Sequence, residues 1–192
     1  MSQEIEIEYK QLLTKEEYER IHERFSFTTV PSQLQTNYYF ETRDFQLKRV
    51  GAALRIREKN STWKLTLKEQ HHKGLLETHD TLTEKEAMSW ISGKILPKQN
   101  VTKQLKKLEV SNDQLVYWGS LVTKRKELAV GQVLLVLDVS KYNGRKDFEL
   151  EIEAKTKAAG ETFFNELIAM EHISPTPTMN KIQRFFNTLP NK

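Results

Sequence analysis

In the strand-like run 3–10, residues 4–10 alternate strictly between polar and apolar side chains, with Glu4, Glu6, Glu8 and Lys10 on one face and Ile5, Ile7 and Tyr9 on the other. This is the period of a strand with one apolar side. A capping box, Thr14 with Glu17, then opens a helix running to about Phe25. Runs rich in Thr, Tyr, Trp, Leu and Ile read as strands at about 33–42, 52–58, 62–69 and 74–81. Between 83 and 109 the period becomes helical; Thr83 and Glu86 form a second capping box, and Gly93 and Pro97 interrupt the run. Strands return at about 118–128, 131–142 and 147–155, and helices close the chain at about 158–171 and, beyond Pro175 and Pro177, about 179–187. Eight strands joined mostly by short connections predict an α+β chain built on an antiparallel sheet. Eight can also close into a barrel holding one small ligand. The expected fold is an eight-stranded antiparallel β-barrel, up-and-down in order, with helices packed outside; an open sheet covered by helices is the alternative. With no internal repeat or Pro/Ser-rich linker, 1–192 reads as a single domain.

The charges are sorted by strand. Glu6, Glu8 and Lys10 share a face of the first strand, and Glu149, Glu151 and Glu153 share a face of the last, opposite Phe148, Leu150 and Ile152. Middle strands carry bases: Arg55 with Arg57, Lys64 and Lys68 with Thr66, and Arg125 with Thr123. Asp138 interrupts an apolar run at 133–139, and Glu77 lies on the fifth strand. A sheet face turned to water is often charged, but it usually mixes signs, because like charges at neighbouring same-face positions repel. Rows of one sign make sense when a divalent cation sits among the acids. Closing the barrel would bring the first strand to the last, and Glu6 and Glu8 to Glu151 and Glu153. Such a carboxylate group is a hard-oxygen site suited to Mg²⁺ or Mn²⁺, and a basic wall suits phosphate, which arginine grips in a bidentate way.

Composition removes other chemistries. The chain has 192 residues and no cysteine, so disulfides, thiolate catalysis and zinc–sulfur sites are excluded. The start, Met1-Ser2-Gln3-Glu4, lacks a signal-peptide order and no apolar run approaches a membrane span, so a cytoplasmic protein without a membrane partner is expected. A net charge of +4 favours an anionic partner without choosing one. The five histidines, His22, His71, His72, His79 and His172, show no zinc-type spacing, and no phosphate-cradling glycine loop or nucleophile elbow occurs. The run Lys103-Gln104-Leu105-Lys106-Lys107 reads as a solvated helix face, and Trp90 and Trp118 as core, so nucleic acid is not an expected partner.

Glu6-Ile7-Glu8-Tyr9-Lys10 resembles the ExExK signature of the CYTH, or triphosphate tunnel metalloenzyme, superfamily. Further marks follow in family order. Residues 37–42, Asn-Tyr-Tyr-Phe-Glu-Thr, resemble its "YFDT" motif with Glu41 for Asp; Leu54-Arg55-Ile56-Arg57 resembles "LRIR"; Trp63-Lys64-Leu65-Thr66-Leu67-Lys68 resembles its basic fourth strand. Arg125, Asp138, the row Glu149–Glu153, and Asn180-Lys181-Ile182-Gln183-Arg184-Phe185, which is similar to a C-terminal "SKxxRF", complete the series. Small CYTH-domain proteins of Gram-positive bacteria are the nearest in pattern.

The resemblance implies an eight-stranded tunnel in which a divalent metal and basic residues handle a linear triphosphate. By motif position, Glu6, Glu8, Asp138, Glu151 and Glu153 would bind metal, Mg²⁺ or Mn²⁺. Lys10, Arg55, Arg57, Lys64, Arg125 and Lys68 would bind phosphate, with Lys181 and Arg184 approaching from a terminal helix. Lys10, Glu151 and Asp138 are the catalytic candidates: Lys10 as general base or phosphate ligand, Glu151 and Asp138 beside a second metal that orients water. Glu149 and Glu77 share the charged face without an assigned role. The expected activity is hydrolysis of inorganic tripolyphosphate or a triphosphorylated small molecule. The alternatives are a class IV-type adenylate cyclase and a non-catalytic polyphosphate or nucleotide binder. Either a monomer or a homodimer is compatible.

Overall fold

The computed structural model describes residues 2–189. Eight strands, β1 (Gln3–Leu13), β2 (Gln33–Thr42), β3 (Ala53–Lys59), β4 (Thr62–His71), β5 (Gly74–Leu82), β6 (Leu115–Val130), β7 (Val133–Tyr142) and β8 (Arg145–Ala154), form an antiparallel closed barrel. The strand order is β1-β5-β4-β3-β2-β6-β7-β8, so the expected barrel is present but the simple up-and-down order is not. The hairpins β3–β4 and β7–β8 turn through Asn60-Ser61 and Asn143-Gly144, both residues of each pair at positive φ, as type I′ turns require. From β1 to β2 the chain instead runs through helix α1 (Lys15–Arg24), which frees β1 from pairing with its sequence neighbour. The other helices are α2 (Gln46–Arg49), α3 (Glu84–Ile91), α4 (Gln99–Lys107), α5 (Lys157–Met170) and α6 (Lys181–Asn187). Among the described residues no helix is long and apolar enough to cross a membrane.

The chain divides into two compact units, Met1–Ile5 with Gln35–Leu121, and Glu6–Leu34 with Val122–Lys192. In the first, the β2–β5 ladder turns Phe40, Leu54, Ile56, Leu65 and Leu67 to one side. There they pack with Ala87 and Trp90 of α3 and with Val101 and Leu105 of α4. Both reciprocal bonds of the Thr83–Glu86 capping box are made. Asp80, on the same side of β5, accepts from Asn100 N at 3.0 Å and Val101 N at 2.7 Å, satisfying the first turn of α4.

Glu69 is buried beside Gln104 and Lys107, its Oε2 without a partner, and burial pushes its carboxyl above the usual range. A raised native pKa means that the penalty is absent at acid pH and grows as pH climbs past the ordinary carboxylate value. Glu69→Gln is therefore expected to raise stability at neutral pH by about 1 kcal/mol and to change it little at acid pH. Urea unfolding at the two pH values checks this.

In the second unit β1 pairs with β8, and β7 with β8 and β6. One side carries Leu13, Leu135, Leu137, Leu150 and Ile152 against Ile21 of α1 and Leu167 and Ile168 of α5. The α5 helix lies close enough that a Cβ at Gly160 would meet Tyr9 Cε2 at 2.6 Å and Ala154 Cβ at 3.0 Å. In both units the opposite side of the ladder carries the charges.

Candidate active site: an acidic and a basic strand face

The β1–β8 register sets Glu8 opposite Glu153 and Lys10 opposite Glu151; β7–β8 sets Asp138 opposite Glu149, and β6–β7 sets Arg125 opposite Asp138. Directly opposed residues share a face. The second unit therefore gathers Glu6, Glu8, Lys10, Arg125, Asp138, Glu149, Glu151 and Glu153 on one surface, as the alternation implies.

The acids divide into two groups by partner. Arg125, buried, grips Asp138 with Nε at 2.9 Å and Nη2 at 2.7 Å, and its Nη2 also meets Glu151. Lys181, at the start of α6, places Nζ 2.9 Å from Asp138, 3.0 Å from Glu149 and 2.6 Å from Glu151. Arg184, one turn on, bonds Asp147 at 2.9 Å and also Glu149. Asp138, Glu149 and Glu151 thus each face two cations. Burial would raise the Glu151 carboxyl, but Lys181 and Arg125 outweigh it and hold it well below the usual range. The same acids, against burial, hold the Lys181 ammonium above its usual range.

Glu153 is differently placed. Arg125 Nη1 approaches it at 3.4 Å. Burial and the like charges of Glu151, Glu6 and Glu127 overcome that attraction and push its carboxyl up to about 7. Beside it on the ladder, Glu8 pairs with Lys10 at 2.5 Å, and Lys10 also donates to Asn180 Oδ1, the N-cap of α6, at 2.5 Å. Glu6, Glu8, Glu127 and Glu153 therefore form a carboxylate group where negative charge outweighs positive. Oxygen donors in that excess suit a hard divalent cation by type, although among the described residues the set of three donor atoms within 4.8 Å of one another is Glu4, Glu77 and His79. Asp138 and Glu151 are already neutralised from within the protein.

In the first unit, cross-strand register puts Asn37 opposite Arg57, Arg57 opposite Lys64, Arg55 opposite Thr66, Lys68 opposite Glu77, and Thr66 opposite His79. All share the face turned away from α3 and α4. Glu77 lies 2.7 Å from Lys68 and 3.6 Å from Arg55. Burial opposes ionisation there, but those two cations hold its carboxyl down at about 2. Arg57 Nε donates to Asn37 Oδ1 at 3.0 Å. Two donors on this face, Arg55 Nε and Asn37 Nδ2, are buried and have no acceptor. Buried donors are normally satisfied, and donors left open on a basic face are what an anion would fill.

Sequence reasoning passed over several of these partners. Glu127 follows Arg125, and His79 follows Glu77, at the two-residue spacing that shares a strand face, so the alternation already marks both. Asn37 and Asn180 sit in quoted motifs, but their bonds to Arg57 and Lys10 depend on tertiary placement. Glu41, by contrast, points into structure: it accepts from the backbone of Thr42, Leu47 and Lys48 and secures α2. Of the two tryptophans expected in the core, Trp90 is fully buried in the first core cluster, whereas Trp118 is half-buried against Phe45, with ring centroids 5.1 Å apart, and donates to Glu41 O.

A barrel bearing carboxylate rows on its first and last strands and paired bases on the middle ones defines a class, and comparison with known proteins agrees with it. The chain belongs to the CYTH family, whose domain model matches residues 4–186. It is 44% identical over 186 residues, 97% of this chain and 96% of the other, to a Bacillus subtilis (strain 168) protein carrying the provisional name triphosphatase YjbK. A crystal structure from Bacillus halodurans, provisionally described as an adenylate cyclase, superposes with a TM-score of 0.93 at 42% identity, covering 97% of this chain and 100% of that one. A Hippeastrum protein described as having a dominant triphosphatase activity shares the fold, with a TM-score of 0.76 at 21% identity over 95% and 96% of the two chains.

Proposed function

We propose that the protein hydrolyses a linear triphosphate, inorganic tripolyphosphate or a triphosphorylated small molecule, with Mg²⁺ or Mn²⁺. The observation that carries this reading is the pair of buried, unsatisfied donors, Arg55 Nε and Asn37 Nδ2, on a face that also holds Arg57, Lys64 and Lys68. Phosphoryl transfer asks a protein for positioning and charge neutralisation rather than covalent chemistry, and this face offers both. Its arginines and lysines hold the phosphate oxygens. Water attacks the terminal phosphorus, the anhydride P–O bond breaks to give orthophosphate, the diphosphate (free, or still esterified to the small molecule) leaves, and the water's proton passes to solvent or a neighbouring carboxylate.

Glu6, Glu8 and Glu153 would hold the divalent ion, with Glu127 at hand. When bound, it supplies charge neutralisation at the phosphate oxygens. Asp138 and Glu151 position Arg125 and Lys181. Lys10, bonded to Glu8 and Asn180, is a cationic phosphate ligand that also ties α6 to β1.

The name of the Bacillus subtilis relative favours hydrolysis; the description of the Bacillus halodurans relative keeps cyclisation of ATP as the second reading. The test measures phosphate release from tripolyphosphate with Mg²⁺ or Mn²⁺, beside ATP assayed for phosphate and cyclic AMP. Arg55→Ala/Arg57→Ala is expected to lower turnover at least ~10²-fold, as loss of charge-stabilising donors does. Cyclic AMP without phosphate would replace hydrolase by cyclase. Tight triphosphate binding without turnover in the metal-loaded protein would make it a binder.

A further inference from the structure

Glu4 of β1 and Glu77 and His79 of β5 bring three donor atoms within 4.8 Å of one another in the first unit. His79 Nε2 lies 2.8 Å from Glu4 Oε1 and 3.3 Å from Glu77 Oε2. Two donors each about 2.1 Å from one ion are about 3.0–3.4 Å apart at octahedral to tetrahedral angles, so the His79–Glu77 separation matches neighbouring ligands of a single cation and the His79–Glu4 separation falls slightly below that range. The other ring nitrogen, Nδ1, is 3.1 Å from the buried Thr66 Oγ1. With Nδ1–H donating to that hydroxyl, Nε2 turns its lone pair toward the carboxylates. This is how metal-binding histidines are commonly oriented from behind. Burial also lowers the His79 pKa, which keeps the ring neutral and able to ligate.

We propose that Glu4, Glu77 and His79 form a second divalent-cation site, separate from the carboxylate group of Glu6, Glu8 and Glu153. The donor set predicts its preference. Imidazole with two carboxylates suits Zn²⁺, Co²⁺ or Ni²⁺ over Mg²⁺, which favours oxygen and retains its water. The surroundings predict a further property. Lys68 and Arg55 lie against Glu77, and Lys64 is 3.9 Å from Glu4. Those three cations outnumber the two acids, so a dication adds to a positive wall. Its binding should therefore tighten when a phosphate anion is present.

The probe is Co²⁺ titrated into metal-free full-length protein, read by visible absorption for stoichiometry and by NMR of the histidine rings. Wild type is expected to take up one Co²⁺ that perturbs the His79 ring, identified by its loss in His79→Gln, with tighter binding in added inorganic phosphate. His79→Gln should lose that ion. Glu4→Gln, at an exposed position where folding is not at stake, should weaken it at least ~10-fold. Glu6→Ala/Glu8→Ala should retain it. His71→Ala/His72→Ala should retain it too, which separates the triad from the adjacent imidazoles of the β4–β5 turn. An unperturbed His79 ring in wild type at saturating Co²⁺, or unchanged affinity and stoichiometry in Glu4→Gln, would overturn the proposal and leave a hydrogen-bonded triad.

Discussion

Replacing Glu6 and Glu8 by alanine is expected to lower metal-dependent phosphate release about 10³-fold or more, since charge neutralisation by a bound ion is worth several kcal/mol of barrier. Millimolar Mg²⁺ or Mn²⁺ should raise the melting temperature of the wild type and not that of this variant, because an ion that binds only the native state stabilises it. Without metal the variant should be no less stable than wild type. Glu6 is one of the like charges acting on Glu153, and relief of that repulsion offsets lost contacts. Glu153 sharpens the test. Its native pKa of about 7 exceeds the ordinary value of 4.5, so its cost to the native state appears as pH rises from the ordinary value through 7. Glu153→Gln should therefore stabilise metal-free protein at alkaline pH, by about 1 kcal/mol, and not at acid pH. An active Glu6→Ala/Glu8→Ala enzyme, or a melting temperature that still responds to metal, would remove the ion from this carboxylate group.

Arg125→Met is expected to carry the largest stability loss in the molecule, about 3–5 kcal/mol, the usual range for removing one partner of a buried ion pair. Arg125 is 6% exposed, and Asp138, fully buried, accepts two of its hydrogen bonds. Without the guanidinium, Asp138 would be left with Lys181, which Glu149 also engages, and Glu151 with Lys181 and the more distant Lys10. Burial opposes ionisation of Glu151, and Lys181 and Arg125 overcome it to hold its folded pKa well below the unfolded value. That contribution is present above the unfolded pKa and fades as pH falls through the folded one. The deficit of Arg125→Met should therefore be greatest at neutral pH and shrink in acid. Denaturant titrations at both pH values measure it. Arg125→Lys should rescue only partly, because an ammonium cannot reproduce the two-pronged grip on Asp138. A loss under about 1 kcal/mol at neutral pH would mean that water, not Arg125, satisfies these acids.

How much of the site was legible follows from the range of the forces involved. Same-face parity is local, so Glu6, Glu8 and Lys10, or Arg55 and Arg57, could be grouped from a few residues of sequence. The pairing of β1 with β8 was inferred from charge and closure, and the register bears it out with Glu8 opposite Glu153. Strand order was less legible. Nothing local to 14–32 shows that the chain leaves β1 and returns as a strand that is not its neighbour. Helix α2 was missed because four residues, 46–49, are too few to display a period; its stability comes from Glu41 accepting three backbone donors.

The sequence by itself determined the eight strands, the acid rows of the first and last, the bases of the middle ones, and the capping boxes at Thr14 and Thr83. Backbone pleating, capping and turn chemistry act over two to four residues, and the letters record them directly. Tertiary structure alone decided which acids are spent within the protein and which retain negative charge. Lys181 reaches Glu151 across 30 residues, Arg125 reaches Asp138 across 13, and His79 meets Glu4 across 75. In sequence Glu149, Glu151 and Glu153 are equivalent members of one row. They become different groups because Lys181 of α6 engages the first two, joined by Arg184 at Glu149 and Arg125 at Glu151, while Glu153 faces its own kind in a place where burial makes each charge count for more.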